Sequence, residues 1–134
     1  MTATAPLTAR QLVILSAIGA VLWLAFALLI RVLGPLGVFD DTIRPWLYLA
    51  VIPGTLPMIP VIRRLAGLAP HQNTIAMAVG TASATMLDGL ALSWIPWLYA
   101  DTVELVAAAG AVILWGGGVG LALGVLLDWR QRER

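Results

Sequence analysis

Several reactive side chains are missing or scarce in this chain of 134 residues, which has no cysteine and a single histidine, His71. It also has no lysine, because all eight basic residues are arginine. Without cysteine there are no disulfides, thiolate nucleophiles or Cys-ligated zinc or iron–sulfur sites. Without lysine there is no Schiff-base amine, and one imidazole cannot build the two- or three-histidine metal sites of many enzymes. We therefore expect no metal, no cofactor and no enzymatic activity.

Charge is also scarce, since charged residues make up 11% of the chain and hydrophobic residues 60%. An ordinary soluble domain carries about 25% charged residues. The mean hydropathy of +0.93 places the chain in a lipid bilayer. A formal net charge of only +1 argues against a polybasic surface, so we expect no nucleic-acid partner.

Four apolar runs predict four membrane-spanning helices, at about residues 11–33, 45–62, 73–96 and 103–127. A helix needs about 20 apolar residues to cross a hydrocarbon core about 30 Å thick. The first run continues through Leu28-Leu29-Ile30, which favours a retained span over a cleaved secretory signal. The predicted fold is an all-α, four-helix transmembrane bundle that forms one integral membrane domain over residues 1–134.

The arginines predict the orientation of the bundle, because positive charge near span ends is retained on the cytoplasmic side. Only Arg31 and Arg44 fall at one set of span ends. The other set carries Arg10, Arg63, Arg64, Arg130, Arg132 and Arg134. We expect both termini to be cytoplasmic and the protein to lie in a bacterial inner membrane.

The second span contains three prolines, Pro53, Pro57 and Pro60, within eight residues. Each removes a helical hydrogen bond and clashes with the preceding turn, so a kinked or partly unwound helix is predicted. Broken helices line substrate sites in some transporters, but many proline kinks only shape packing.

The fourth span carries Gly116, Gly120 and Gly124 at four-residue spacing, on one helical face. Such a strip lets another helix approach closely. The partner helix could belong to this chain, to a second copy or to a different protein.

Asp88 is the only formally charged side chain deep inside a predicted span, where a carboxylate costs roughly 2.5–3.5 kcal/mol at the bilayer centre. Thr81 and Thr85 share its helical face, at i−7 and i−3. At the rise of an α-helix, Asp88 lies ~22 Å from Asn73, and Arg31 lies ~30 Å from Gln11 on a span of the same direction. We predict an ion pair between Asp88 and Arg31, with Arg44 as the substitute partner. The alternatives are a protonated packing residue and a proton or cation site.

Two segments near the end of the third span, Thr85-Met86-Leu87-Asp88-Gly89 and Trp94-Ile95-Pro96-Trp97-Leu98-Tyr99, carry a resemblance. They resemble a family of small four-span bacterial membrane proteins that is catalogued as a domain of unknown function. The resemblance covers mainly the third and fourth spans. It implies that Asp88 and Pro96 match the family pattern, and it implies no ligand or activity.

The functional prediction is a non-catalytic membrane protein, an accessory or scaffold subunit of a membrane complex. Its expected partners are the lipid bilayer and a second copy or larger complex. The alternative is a small oligomeric transporter or channel that uses Asp88 as a proton or cation site. An enzyme is disfavoured because Asp88, Glu104 and His71 lie at different depths.

Overall fold

A computed structural model describes residues 6–134, and every regular element in this range is helical. Two single-turn 3-10 helices, Gly34–Leu36 and Pro96–Leu98, join longer elements. The α-helices are α1 (Ala9–Leu33), α2 (Arg44–Thr55), α3 (Met58–Leu65), α4 (Asn73–Trp94) and α5 (Val103–Arg132). Four stretches are long and apolar enough to cross a membrane: Ala9–Leu36, Arg44–Leu65, Asn73–Trp94 and Val103–Arg132. The predicted all-α, four-span membrane architecture is confirmed.

The helix ends follow local sequence signals. Thr8 and Gln11 form the capping box at the start of α1, with reciprocal side-chain to backbone hydrogen bonds of 3.0 and 3.2 Å. The third span ends at Trp94 rather than residue 96, because Pro96 cannot continue the helix. The helix of the fourth span, α5, extends to Arg132, five residues beyond the predicted span, because nothing in Asp128–Arg132 breaks a helix.

Helix α4 is the centre of the bundle, with α1 packed on one side and α5 on another. Helix α2 packs against α5, whereas α3 packs against α4 and α1. The two halves of the second span therefore rest on different neighbours. The chain passes from α2 to α3 through Leu56 and Pro57, inside the segment predicted to be kinked. Because Pro57 has no N–H, the helical hydrogen bond to the Pro53 carbonyl cannot form there.

The bundle has two distinct ends. At the first, which we call the basic end, the start of α1, the α3–α4 connection and the end of α5 meet, and Gln11 Nε2 donates to Gly67 O at 3.1 Å. It carries the six arginines at positions 10, 63, 64, 130, 132 and 134. At the other, which we call the aromatic end, the end of α1 contacts the α4–α5 connection, and the exposed Trp46, Trp94 and Trp97 lie there. The start of α1 and the end of α5 thus share one end; that this end is cytoplasmic stays a prediction, and residues 1–5 lie outside the described range.

Small residues allow the closest helix contacts. A Cβ atom added to Gly19 of α1 would overlap the backbone oxygen of Gly80 in α4 and lie 3.1 Å from Ser83 Cβ. In the predicted glycine strip, Gly120 and Gly124 face α4: an added Cβ would lie 2.8 Å from Met77 Cε and 3.2 Å from Asn73 O, respectively.

Gly116, the third member of the strip, faces α2, with Val51 Cγ1 3.9 Å from the Cβ position. All three glycines thus lie against helices of the same chain. Of the three partners that the sequence left open, the structure uses the intramolecular one.

Candidate intramembrane polar site

Asp88 lies in the aromatic-end half of α4 and is buried, with 9% of its surface exposed. Its carboxylate accepts a hydrogen bond of 2.5 Å from the hydroxyl of Tyr99, which has no exposed surface. The Tyr99 hydroxyl in turn accepts a hydrogen bond of 2.9 Å from the indole N–H of Trp23 in α1. The three side chains form a hydrogen-bonded chain, Trp23 to Tyr99 to Asp88, which we call the Asp88 cluster.

The turn after α4 brings Tyr99 back to Asp88, eleven residues earlier in the chain. Pro96 begins a single 3-10 turn, and the N–H groups of Tyr99 and Ala100 both donate to the Pro96 carbonyl. The turn folds the chain over the end of α4 and inserts the phenol between α1, α4 and α5. There Tyr99 packs with Ala27, Ala91 and Ala109, whose small side chains leave room for the ring.

The Tyr99 hydroxyl donates the hydrogen bond that Asp88 accepts. Burial, and secondly the hydrogen bond to Asp88, raise the pKa of the Tyr99 hydroxyl well above its ordinary value. The phenol therefore keeps its proton at neutral pH, so it can donate to Asp88 and accept from Trp23 at the same time.

The predicted ion pair between Asp88 and Arg31 is not formed. Arg31 instead pairs with Asp101 at 2.8 Å and donates to the backbone carbonyl of Trp97. Helical rise already places Arg31 ~8 Å farther along the bundle than Asp88, which brings it level with the α4–α5 connection. The exposed carboxylate of Asp101 is available there, so the guanidinium stays near water and does not reach into the bundle.

The other residues predicted at this site do not reach Asp88 either. Arg44 pairs with Asp41, three residues earlier, on the exposed surface. Thr85 lies on the outside of the bundle and donates to the Thr81 carbonyl at 2.7 Å. The methyl group of Thr81 packs against Gly117 of α5. Thr81 and Thr85 lie on the same flank of the helix, about 20° and about 60° around it from Asp88, and this flank turns from the buried side toward the exterior.

Sequence reasoning missed Tyr99 and Trp23 as partners of Asp88. Tyr99 lies near a span end, where an interfacial aromatic residue is typical, and Trp23 lies in the middle of a span. The depth of these residues in the membrane could have indicated the contact. On two spans of the same direction, Trp23 lies ~18 Å from Gln11 and Asp88 lies ~22 Å from Asn73, which are similar depths.

Trp115, the other mid-span tryptophan, also uses its indole within the chain. Its N–H donates to the backbone carbonyl of Tyr48 in α2 at 2.9 Å, and the two rings lie 5.6 Å apart. This contact joins α5 to the first half of the broken span.

A second buried carboxylate, Asp128 near the end of α5, was not predicted as a site and is 6% exposed. Its Oδ1 accepts from the backbone N–H and the side-chain amide of Asn73, at 2.9 and 2.8 Å. Its Oδ2 accepts from the Thr74 N–H at 2.8 Å. Asp128 therefore caps the start of α4 from a different helix, where the helix dipole favours negative charge. We call this group the Asp128 cap.

Nothing in the described range gathers the ligands of a metal ion: no three His, Asp or Glu side chains of residues 6–134 lie together. No family model, curated protein or solved structure matches the chain significantly. The resemblance to the four-span bacterial family therefore stays a prediction.

Proposed function

We propose that this membrane protein is non-catalytic and acts as an accessory or scaffold subunit of a larger membrane complex. The observation that carries the proposal is the use made of the polar side chains inside the bundle. Asp88, Tyr99 and Trp23 bond to one another, Ser83 donates to the Ser16 carbonyl at 2.9 Å, and Trp115 donates to Tyr48. Each of these contacts joins one helix or turn to another, so the interior polar groups serve assembly of the fold.

The small connections support the same proposal. The segments between the four spans are 37–43, 66–72 and 95–102, and within residues 6–134 none of them forms a domain outside the bundle. Most of the surface on which a partner protein could dock is therefore the apolar exterior of the helices. We expect partner contacts to lie within the bilayer, where small residues allow helices to approach closely.

Three exposed glycines provide a test. A Cβ atom added at Gly54, Gly89 or Gly118 meets no atom within 4 Å, so larger side chains fit there without disturbing the bundle. Each glycine would be replaced by leucine in turn, and complexes purified in mild detergent would be compared by native mass measurement. We expect the parent to run as a defined complex heavier than its own 14.2 kDa. At least one leucine variant should lose the partner while keeping its helix content.

A monomer of 14.2 kDa with no bound protein, in the parent itself, would contradict the proposed role. So would a complex that survives all three leucine substitutions unchanged. Leu114→Ala, which changes a side chain already exposed on the outside of α5, is a control for substitution as such.

One observation favours the alternative of a small oligomeric transporter or channel: Asp88 is an acidic group inside a span, and such groups often mark ion or proton pathways. Vesicle flux with the Asp88→Asn variant tests it. The alternative requires flux by the parent and its loss in Asp88→Asn, but not in Asp101→Asn at the exposed aromatic end. Equal flux in parent and Asp88→Asn would remove Asp88 from any transport role.

A further inference from the structure

The arginines at the two ends of the bundle differ in whether the chain supplies their counterions. At the aromatic end both arginines are paired, Arg31 with Asp101 and Arg44 with Asp41. These are the only ion pairs within 4.0 Å among residues 6–134, so none of the six arginines at the basic end is paired within that range. The basic end offers only two acids, Asp128 and Glu133. Both carboxylate oxygens of Asp128 already accept hydrogen bonds in the Asp128 cap.

Arg63 shows the same imbalance on a smaller scale. Its Nε atom is buried and has no hydrogen-bond partner in the described range. A buried N–H donor without an acceptor costs about 1–3 kcal/mol. The basic end therefore contains charge and hydrogen-bond donors that residues 6–134 leave without acceptors.

A groove of about 390 Å³ opens at this end, between the segment before α1, the α3–α4 connection, the start of α4 and the end of α5. One part of its wall is polar and consists of His71, Gln72, Thr74, Asp128 and Arg132. The other part is apolar and includes Leu7, Ile75 and Ala78.

The apolar part runs into the membrane. Ile75 and Ala78 lie three residues apart on α4, and Ala78 is ~7.5 Å from Asn73 along the helix. Arg132 lies in the last turn of α5, a helix of 30 residues that is ~45 Å long and so outlasts a hydrocarbon core of about 30 Å. The groove therefore passes from the headgroup region, where Arg132 lies, toward the acyl chains.

We infer that this groove binds the headgroup of an anionic phospholipid, with its phosphate near Arg132 and His71 and its glycerol and upper acyl chains along Ile75 and Ala78. An anion is favoured because Arg132 lines the groove and has no acidic partner among residues 6–134, and five further arginines lie at the same end. Asp128, the one acid in the wall, already accepts three N–H donors. The apolar wall selects a lipid over a soluble phosphate, because a free anion would leave Leu7, Ile75 and Ala78 facing water. This site is independent of the proposed accessory role and requires only the membrane-embedded bundle.

The test uses the full chain reconstituted in vesicles and measures the association of spin-labelled phosphatidylglycerol relative to spin-labelled phosphatidylcholine. One arginine near an anionic surface contributes about 1 kcal/mol, which corresponds to about a fivefold change in association. We expect the parent to prefer phosphatidylglycerol and Arg132→Gln to lower that preference about fivefold. Arg44→Gln, the same charge change at the aromatic end, should leave it within about twofold.

Arg134→Gln is the matched control at the basic end, because position 134 lies outside the groove. An equal loss in Arg132→Gln and Arg134→Gln would mean diffuse attraction to the membrane surface and would overturn the groove as a site. The absence of any preference in the parent would overturn lipid binding. Displacement of phosphatidylglycerol by millimolar inorganic phosphate would instead identify a soluble-anion site and overturn the lipid assignment.

Discussion

Asp88 and Asp128 are both buried aspartates that lie against or within α4, but they are at opposite ends of that helix and meet different donors. Asp128 accepts three N–H donors from Asn73 and Thr74. Asp88 accepts one hydroxyl, that of Tyr99. The Asp128 cap is a charge placed where helix geometry supplies donors and a favourable dipole. The Asp88 cluster is a polar connection between α1, α4 and the turn that follows α4.

The difference shows that burial alone does not identify a functional carboxylate. Asp128 is slightly less exposed than Asp88, 6% against 9%, yet its donors give it a complete structural role. Asp88 has fewer donors, and its value to the fold depends on Tyr99. Substitutions in the Asp128 cap and in the Asp88 cluster should therefore lower the unfolding free energy by different amounts.

The largest effect is expected for Asp128→Ala. It removes an anionic acceptor from three N–H groups, two of them buried. Hydrogen bonds to charged groups contribute about 1.5–3 kcal/mol each, so we expect a loss of at least about 4.5 kcal/mol in unfolding free energy. Unfolding in mixed detergent and SDS, followed by circular dichroism, measures it. Glu133→Gln, an exposed acid at the same end, should change stability by less than about 0.5 kcal/mol. If the two variants unfold at the same SDS fraction, Asp128 is not a structural cap.

Gly19→Ala should follow, with a loss of about 2 kcal/mol from overpacking. The added methyl group meets the Gly80 backbone, which cannot move without shifting α4, so α1 must separate from α4. The same SDS titration tests whether α1 is held by this contact as well as by the Asp88 cluster. Gly118→Ala on the open face of α5 is the control and should keep or slightly raise stability, because alanine is the better helix former. Equal stability of both variants would contradict the close α1–α4 contact.

Tyr99→Phe isolates the Asp88 cluster. It keeps the ring but removes the hydroxyl that serves both Trp23 and Asp88, so we expect a loss of about 1 kcal/mol. Tyr48→Phe is the matched control, since Tyr48 contributes its backbone carbonyl, which the substitution keeps, to the contact with Trp115. A Tyr99→Phe protein as stable as Tyr48→Phe would show that the hydroxyl bonds contribute nothing net.

The smallest effect is expected for Arg31→Gln, because its pair with Asp101 is exposed, with 38% and 73% of the side-chain surfaces accessible. Such pairs contribute about 0.2–1 kcal/mol and weaken in high salt. Asp101→Asn should match it, and the double variant should be no worse than either single one. If the losses of unfolding free energy in Arg31→Gln and Asp88→Asn were not additive in the double variant, Arg31 would interact with Asp88, contrary to the structure.

Length and periodicity were enough to predict much of the fold. The four spans depend on apolar runs of residues that are close together in sequence. The face carrying Gly116, Gly120 and Gly124 followed from helical spacing, but its neighbours, Val51, Met77 and Asn73, did not.

The candidate site was harder to predict because depth along a helix is not position in space. Helical rise placed Asp88 and Arg31 on spans of the same direction, within the reach of an arginine side chain. It carried no information on the turn through Pro96, which returns Tyr99 to Asp88 and leaves Asp101 beside Arg31. Asp128 was overlooked because the prediction ended the fourth span at residue 127.

By itself, the sequence determined that this chain is a four-span helical membrane protein with its arginines concentrated at one end. Those properties follow from apolar runs, helix-breaking residues and charge, which act locally or through the solvent. Only the tertiary structure decided which donors meet the two buried aspartates and which arginines have partners. Those outcomes depend on how helices rotate and pack against one another, and a single turn such as 95–102 can change them completely.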